Sequence, residues 1–170
     1  IQQRLYLHST GHANSSSQFG ILNCIQPEQE FPDNYIYNPD DPAPSAIVSE
    51  QFTDRVAFEL REDVLTYTTE PLQNSLTILG EIILNLHAAT DGRDTDWFAQ
   101  VTEVFPDGRS IAFHGGLGAL RARYREGFDK PKLLTPDKPA EYRISLGHAG
   151  HQIEAGNRLR LSIFSSYFPL

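Results

Sequence analysis

In Arg158-Leu159-Arg160-Leu161-Ser162-Ile163 every second residue is apolar, which puts Leu159, Leu161 and Ile163 on one face of an extended strand. The same period of two recurs in Tyr142, Ile144 and Leu146 against Glu141, Arg143 and Ser145. It recurs again in Ile82, Leu84, Leu86 and Ala88 against Ile83, Asn85 and His87, whose second face is only partly polar, so this strand is expected to be central and covered on both sides. No helix-period apolar stripe of useful length competes with these patterns. Residues 4–8, 64–68, 75–79, 97–104 and 110–114 are further strand candidates, rich in β-branched and aromatic residues and bounded by turn formers. Between the last two lies Phe105-Pro106-Asp107-Gly108-Arg109, with proline early and glycine where positive φ is wanted, a hairpin connection. Short strands joined by turns predict an all-β, two-layer β-sandwich with Greek-key or jelly-roll connections, and periodicity does not choose between those topologies.

A chain of 170 residues can bury one good core and is too short for two, so residues 1–170 are expected to be a single domain. It opens at Ile1 and contains no methionine, which predicts a processed or truncated piece of a longer protein. No apolar run approaches the roughly 18 residues a membrane span needs, so no membrane contact is expected. A single cysteine, Cys24, excludes an internal disulfide and a multi-cysteine zinc site while leaving the compartment open. The net charge of −8 repels a phosphate backbone, which argues against nucleic acid as a partner. That charge is concentrated in residues 1–60, read as a solvated acidic loop region. Residues 12–51 carry Asn14-Ser15-Ser16-Ser17 and then Pro27, Pro32, Pro39, Pro42 and Pro44 among acidic residues. So long an irregular connection is uncommon inside a compact domain, and it predicts an interface with something beyond this chain.

The candidate chemistry is sparse. An α/β-type serine hydrolase presents its nucleophile on a tight Gly-x-Ser-x-Gly turn, and no such motif occurs. The Ser15-Ser16-Ser17 run and the Ser165-Ser166 pair read as turn and strand-end residues. His148 and His151 invite a zinc reading, but their spacing fits neither a helical i, i+4 pair nor His-x-His on a strand, so a surface turn with two exposed histidines is expected. Asp91, Asp94 and Asp96 crowd into seven residues as calcium ligands do. No glutamate stands at the twelfth position, however, and Arg93 intrudes, so Asp94 and Asp96 are expected to bond turn amides or arginines of a neighbouring strand. Arg121, Arg123 and Arg125 alternate with Leu120, Ala122 and Tyr124, which predicts three guanidiniums on one side of an extended segment, paired with acidic neighbours. Trp97, the only tryptophan, is expected in partly buried packing rather than stacked on a sugar. No catalytic residue, cofactor-binding residue or metal ligand is therefore assigned, and no cofactor is expected.

Several stretches taken in order resemble the family of X-Pro dipeptidyl-peptidases, cocaine esterases and α-amino-acid ester hydrolases. They are Leu5-Tyr6-Leu7-His8, Tyr35-Ile36-Tyr37-Asn38-Pro39-Asp40-Asp41-Pro42, Arg61-Glu62-Asp63-Val64-Leu65 and Thr69-Glu70-Pro71-Leu72. Gly80, Asp94-Thr95-Asp96-Trp97, Val104-Phe105-Pro106-Asp107-Gly108-Arg109 and Leu120-Arg121-Ala122-Arg123-Tyr124-Arg125 follow. Gly156-Asn157-Arg158-Leu159-Arg160-Leu161 and Ser165-Ser166-Tyr167-Phe168-Pro169 complete the set. The resemblance implies a C-terminal jelly roll of the galactose-binding-like type, packed against an upstream α/β-hydrolase domain of the same chain that holds the catalytic serine, aspartate and histidine. It implies a parent that cleaves esters, amides or X-Pro peptides through an acyl-enzyme, and a non-catalytic domain here that stabilises the hydrolase and helps wall its active site through residues 35–50. Two departures stand out: Pro44-Ser45-Ala46-Ile47-Val48 replaces a Gly-Gly step common in the family, and the chain stops at Leu170 where the family continues with an asparagine-rich segment. Two readings compete. A carbohydrate-binding module would require an exposed aromatic such as Trp97, and a small metal-dependent enzyme would require His148 and His151 to meet a carboxylate. Apolar surface left open by a missing partner also predicts self-association into a homo-oligomer.

Overall fold

The computed structural model describes residues 2–15, 19–45 and 53–169. The alternating segments form eight strands, β1 (Tyr6–His8), β2 (Gly20–Asn23), β3 (Leu65–Thr68), β4 (Leu76–Ala88), β5 (Asp96–Val104), β6 (Ser110–Arg121), β7 (Ala140–Ile153) and β8 (Arg158–Phe164). One helical turn, α1 (Val56–Glu59), and a 3₁₀ turn (Ala122–Tyr124) complete the described elements. The strands make two sheets, one of six in the order β1-β2-β3-β8-β5-β6 and one of two, β4-β7. Neighbours run antiparallel except β2 beside β3. This is the all-β sandwich that the period of two predicts.

The core lies between the sheets. Leu84 of β4 and Tyr142, Ile144, Leu146 and Ile153 of β7 pack on Leu65, Tyr67, Trp97, Ala99, Val101, Leu159, Leu161 and Ile163 of the larger sheet. Burying each large side chain is worth about 1.5–3 kcal/mol, and this is what holds the layers together. Keeping β7 inward-facing over fourteen residues requires a change of parity. Glu81 pairs with His148 but Ile83 with Ser145, so β7 carries one extra residue, and Gly147 supplies the positive φ of +91° there. Tyr142, Ile144 and Leu146 before this bulge, and Ala149 and Ile153 after it, all reach the core as a result.

Two expectations change. Residues 75–79 and 82–88 are one strand, β4, running through Gly80 at a φ of +122°. β4 is not central, because among the described residues it pairs only with β7, and its outward Thr77, Leu79, Glu81, Asn85 and His87 are exposed. The apolar content of its second face comes from Ile83 and from Leu79, which stands open to solvent. The strand doubly covered is instead β8, whose Arg160, Ser162 and Phe164 are buried on the face away from the core. There α1 and the flanking loops lay Ala43, Phe58, Val64 and Tyr167 against Phe164, Phe98 and Leu117. Arginine on such a face must be paired: Arg160 Nη1 donates to Glu59 Oε2 at 2.5 Å, while Thr102 and Ser110 hydroxyls donate to Glu59 Oε1 at 2.9 and 2.7 Å.

Candidate functional site

The sequence motifs resolve into structural clamps. Asp94 lies at the entry to β5; its Oδ2 accepts from Arg121 Nε at 2.7 Å and also from Arg123 Nε, and its Oδ1 accepts from the Arg123 amide at 3.0 Å. Burial acts to raise the Asp94 pKa, but the two guanidiniums overcome it and hold the carboxyl below its ordinary range. Asp96 binds Arg121 Nη1 at 2.6 Å. The acidic turn is thus matched by arginines, as expected, and leaves no calcium cradle. The three arginines do not share one extended side, because the chain turns into a 3₁₀ helix at Ala122 and Arg125 caps the carbonyls of Ala122 and Lys132 instead.

His148 and His151 sit in strand β7 rather than in a turn, on opposite faces of it. His148 points to solvent, whereas His151 is half-buried, stacks on Phe113 with ring centroids 4.2 Å apart and meets Glu103 Oε2 at 2.8 Å. Asn157 Nδ2 donates to the other Glu103 oxygen at 2.6 Å, so this carboxylate seals one end of the sandwich. A shared metal is ruled out for the two histidines by their divergence, and no group of three metal-ligating side chains occurs among the described residues. Trp97 is 6% exposed and packs on Tyr142 with ring centroids 5.6 Å apart, so its ring is not open to stack on a sugar. The 630 Å³ groove between Phe19, Ile21, Phe105 and Arg158 brings no nucleophile to a base. The serines do structural work: Ser165 Oγ bonds Tyr35 Oη at 2.6 Å and Ser166 Oγ accepts from the Ala43 amide at 2.8 Å, while Ser16 and Ser17 lie outside the described residues.

What remains is the long connection. Over its described residues it is irregular as expected, apart from β2 in its midst. A few of its polar residues tie it to the sandwich. Asp33 accepts from Ser9 Oγ at 2.7 Å, from the Ala13 amide at 2.8 Å and from Tyr67 Oη at 2.7 Å. Glu30 holds His8 Nδ1 at 2.5 Å and the Ser9 amide at 2.9 Å. Burial alone would lower the His8 pKa, but its bonds to Glu30 and to the Ile25 carbonyl raise it, and the same pairing pulls Glu30 down against its own desolvation. Tyr35 is pushed up to about 12 by burial. Arg61 ties the far end of the loop, donating from Nε and Nη2 to Asp63 at 2.7 and 3.0 Å and from Nη2 to the Asp41 carbonyl at 2.8 Å.

Ala13, Leu22 and Ala43 of this loop are buried, but several of its large apolar residues point outward. Ile25 is 70%, Phe31 80% and Ile36 88% exposed, with Tyr37 beside them at 40%. An exposed loop normally turns its apolar side chains in and its carboxylates out. Here three large apolar side chains stay out, beside exposed carboxylates, on a backbone that is pinned. Residues 46–50, the other part of the segment expected to wall an active site, lie outside the described residues.

Residues 3–170 match the family described as X-Pro dipeptidyl-peptidase C-terminal non-catalytic domain. The cocaine esterase of Rhodococcus sp. (strain MB1 Bresler) is 33% identical over 171 residues, a match that covers 96% of this chain and 29% of the esterase. A solved α-amino acid ester hydrolase superposes with a TM-score of 0.82 at 30% identity, over 98% of this chain and 29% of that one. A solved aminopeptidase of a marine sediment archaeon, Thaumarchaeota archaeon, gives 0.78 at 28% identity, over 98% and 30%. The chain therefore spans less than a third of the length of each of these relatives.

Proposed function

The chain belongs to the family of X-Pro dipeptidyl-peptidase C-terminal non-catalytic domains, and from this we propose that it is the accessory sandwich of a larger serine hydrolase, docked on an α/β-hydrolase domain of the same polypeptide. The matched relatives are named for cleaving esters and peptides, and the bond cleaved by the whole protein is accordingly an acyl ester, an amide or an X-Pro peptide bond. In that chemistry a serine attacks, a histidine takes its proton and backbone amides hold the oxyanion. None of those roles falls on the described residues of this chain. Its part is to stabilise the hydrolase domain and to shape the wall of its active site through the loop that carries Tyr35 and Ile36. The sandwich is of the galactose-binding-like jelly-roll type.

The observation that supports this reading is the pinned loop that leaves the large apolar side chains of Ile25, Phe31 and Ile36 exposed while Asp33, Glu30 and Arg61 tie its backbone to the sandwich. An apolar surface held rigid by ionic clamps reduces the ordering entropy of docking, which is how a permanent interface is built. Reading the coding frame upstream of Ile1 tests it. A Ser nucleophile on a strand-to-helix turn, followed by aspartate and histidine, is the expected result. A frame in which Ile1 follows directly on a signal sequence would overturn it.

A further inference from the structure

The exposed apolar residues of the long loop stand along one margin of the sandwich. Residues 25–34 run beside residues 8–14: the Ile25 carbonyl meets His8 Nε2 at 2.7 Å, Asp33 accepts from the Ala13 amide at 2.8 Å, and the Asn34 carbonyl accepts from Asn14 Nδ2 at 3.1 Å. Ile25, Phe31 and Ile36 therefore line one backbone track instead of scattering over the molecule. The charge of that track is one-sided. Residues 24–41 carry Glu28, Glu30, Asp33, Asp40 and Asp41 and no lysine or arginine. Glu30 is matched by His8, and Asp41 by Arg61, which it shares with Asp63. Asp33 is held by the hydroxyls of Ser9 and Tyr67 and by the Ala13 amide, bonds that fix a carboxylate without neutralising it. Glu28 and Asp40 are exposed, and among the described residues neither carboxylate has an ionic partner.

Apolar side chains set among carboxylates select a partner of opposite charge, because like charges brought face to face as water leaves are strongly repelled. A second copy of the chain is disfavoured on that ground, since it carries the same excess, −8 over 170 residues. More than two-thirds of each matched relative lies outside the region this chain covers, so a partner surface is available within one polypeptide. We propose that the loop of residues 24–41 seats on an apolar surface of the upstream hydrolase domain that carries lysine or arginine opposite Glu28 and Asp40. This rests on the accessory-domain reading above and adds to it the chemistry of the receiving face. Ile25, Phe31 and Ile36 supply the buried area of the contact, and the carboxylates at its rim set register and salt dependence.

The test uses the full-length protein and hydrogen exchange followed by mass spectrometry, comparing wild type with the charge reversal Glu28→Lys/Asp40→Lys and the neutral control Glu28→Gln/Asp40→Asn. An exposed ion pair changes an equilibrium by at most about five-fold, and reversal adds repulsion to that loss. The reversal should therefore raise exchange by about ten-fold in residues 24–41 and in one surface segment of the hydrolase domain that contains Lys or Arg, and the neutral control by about three-fold. Raising salt from about 0.05 M to about 0.5 M should erase most of the difference between the variants. The amides of β4 and β7 should not change, because neither carboxylate is bonded within the sandwich. Unchanged exchange throughout the hydrolase domain in the reversal variant would overturn the pairing. So would an opened segment without Lys or Arg, a difference that persists at high salt, or faster exchange in β4 and β7, which marks an effect transmitted through the sandwich. A coding frame with no hydrolase domain upstream sinks the accessory reading together with the inference, whereas a hydrolase domain that ignores both substitutions sinks the inference alone.

Discussion

His8 and Glu30 fix the start of the long loop, and their shifted pKa values set the pH range in which they do so. The pKa of His8 is raised on folding, so its contribution is complete below the ordinary histidine value of about 6.5 and fades as pH rises through the folded value. That of Glu30 is lowered, so its contribution is complete above about 4.5 and fades as pH falls through its folded value. The pair therefore supports the loop best between roughly pH 4.5 and 6.5. An NMR titration of the His8 ring should show a midpoint above 6.5 that moves down in Glu30→Gln; an unmoved midpoint would mean that Glu30 is not the partner in solution. At this scale the sequence is legible where partners are near. Asp94 and Asp96 sit within thirty residues of Arg121 and Arg123, and the excess of opposite charges announces the pairing. It is not legible where the partner is remote. Glu59 meets Arg160 across 101 residues and Glu103 meets His151 across 48, and nothing local marks either carboxylate as buried.

At the level of elements, the tightest constraint is where β6 crosses β7. A Cβ on Gly118 would lie 2.1 Å from the Ser145 carbonyl oxygen, and one on Gly115 would lie 2.0 Å from that of His148. Both obstacles are backbone, so neither can swing aside. Gly118→Ala should cost about 3 kcal/mol or more of unfolding free energy in urea denaturation. Gly80→Ala is the control, because its φ is +122° but nothing lies within 4 Å, and strain alone should cost about 1–2 kcal/mol. Equal losses at the two positions would mean that the sheets are not in close contact there. Alternation located β4, β7 and β8, composition located β5, and the Phe105–Arg109 turn closes as its proline and glycine predict, with the Phe105 amide donating to the Arg109 carbonyl at 2.9 Å. Alternation missed what breaks period two: the one-residue bulge at Gly147, the three extra residues of β6 between Ala112 and Leu117, and the turn at Ala122. It also missed α1, whose single turn is too short to show a helical period.

For the whole molecule the question is what the chain does with the apolar side chains it leaves exposed. The scattered segments that resemble the hydrolase family meet in space and hold the sandwich together. Thr69 and Leu72 bond across to Asn157 and Leu159, Arg61 reaches Asp41, and Ser165 reaches Tyr35, so the pattern reports how the domain is braced rather than what it catalyses. The outward residues Ile25, Phe31 and Ile36 take no part in this bracing. Left uncovered at neutral pH, they should draw copies of the 170-residue chain together, against the repulsion of a net charge of −8. That repulsion is screened beyond about 8 Å at physiological salt, so association should strengthen as salt is raised. In sedimentation velocity the wild-type chain should show a concentration-dependent coefficient, and the double variant Phe31→Ser/Ile36→Ser should sediment as a monomer. Its unfolding free energy should stay within about 0.5 kcal/mol of wild type, because neither side chain is buried. If the wild type is monodisperse at every salt concentration, the outward loop is too small or too dispersed to bind a partner.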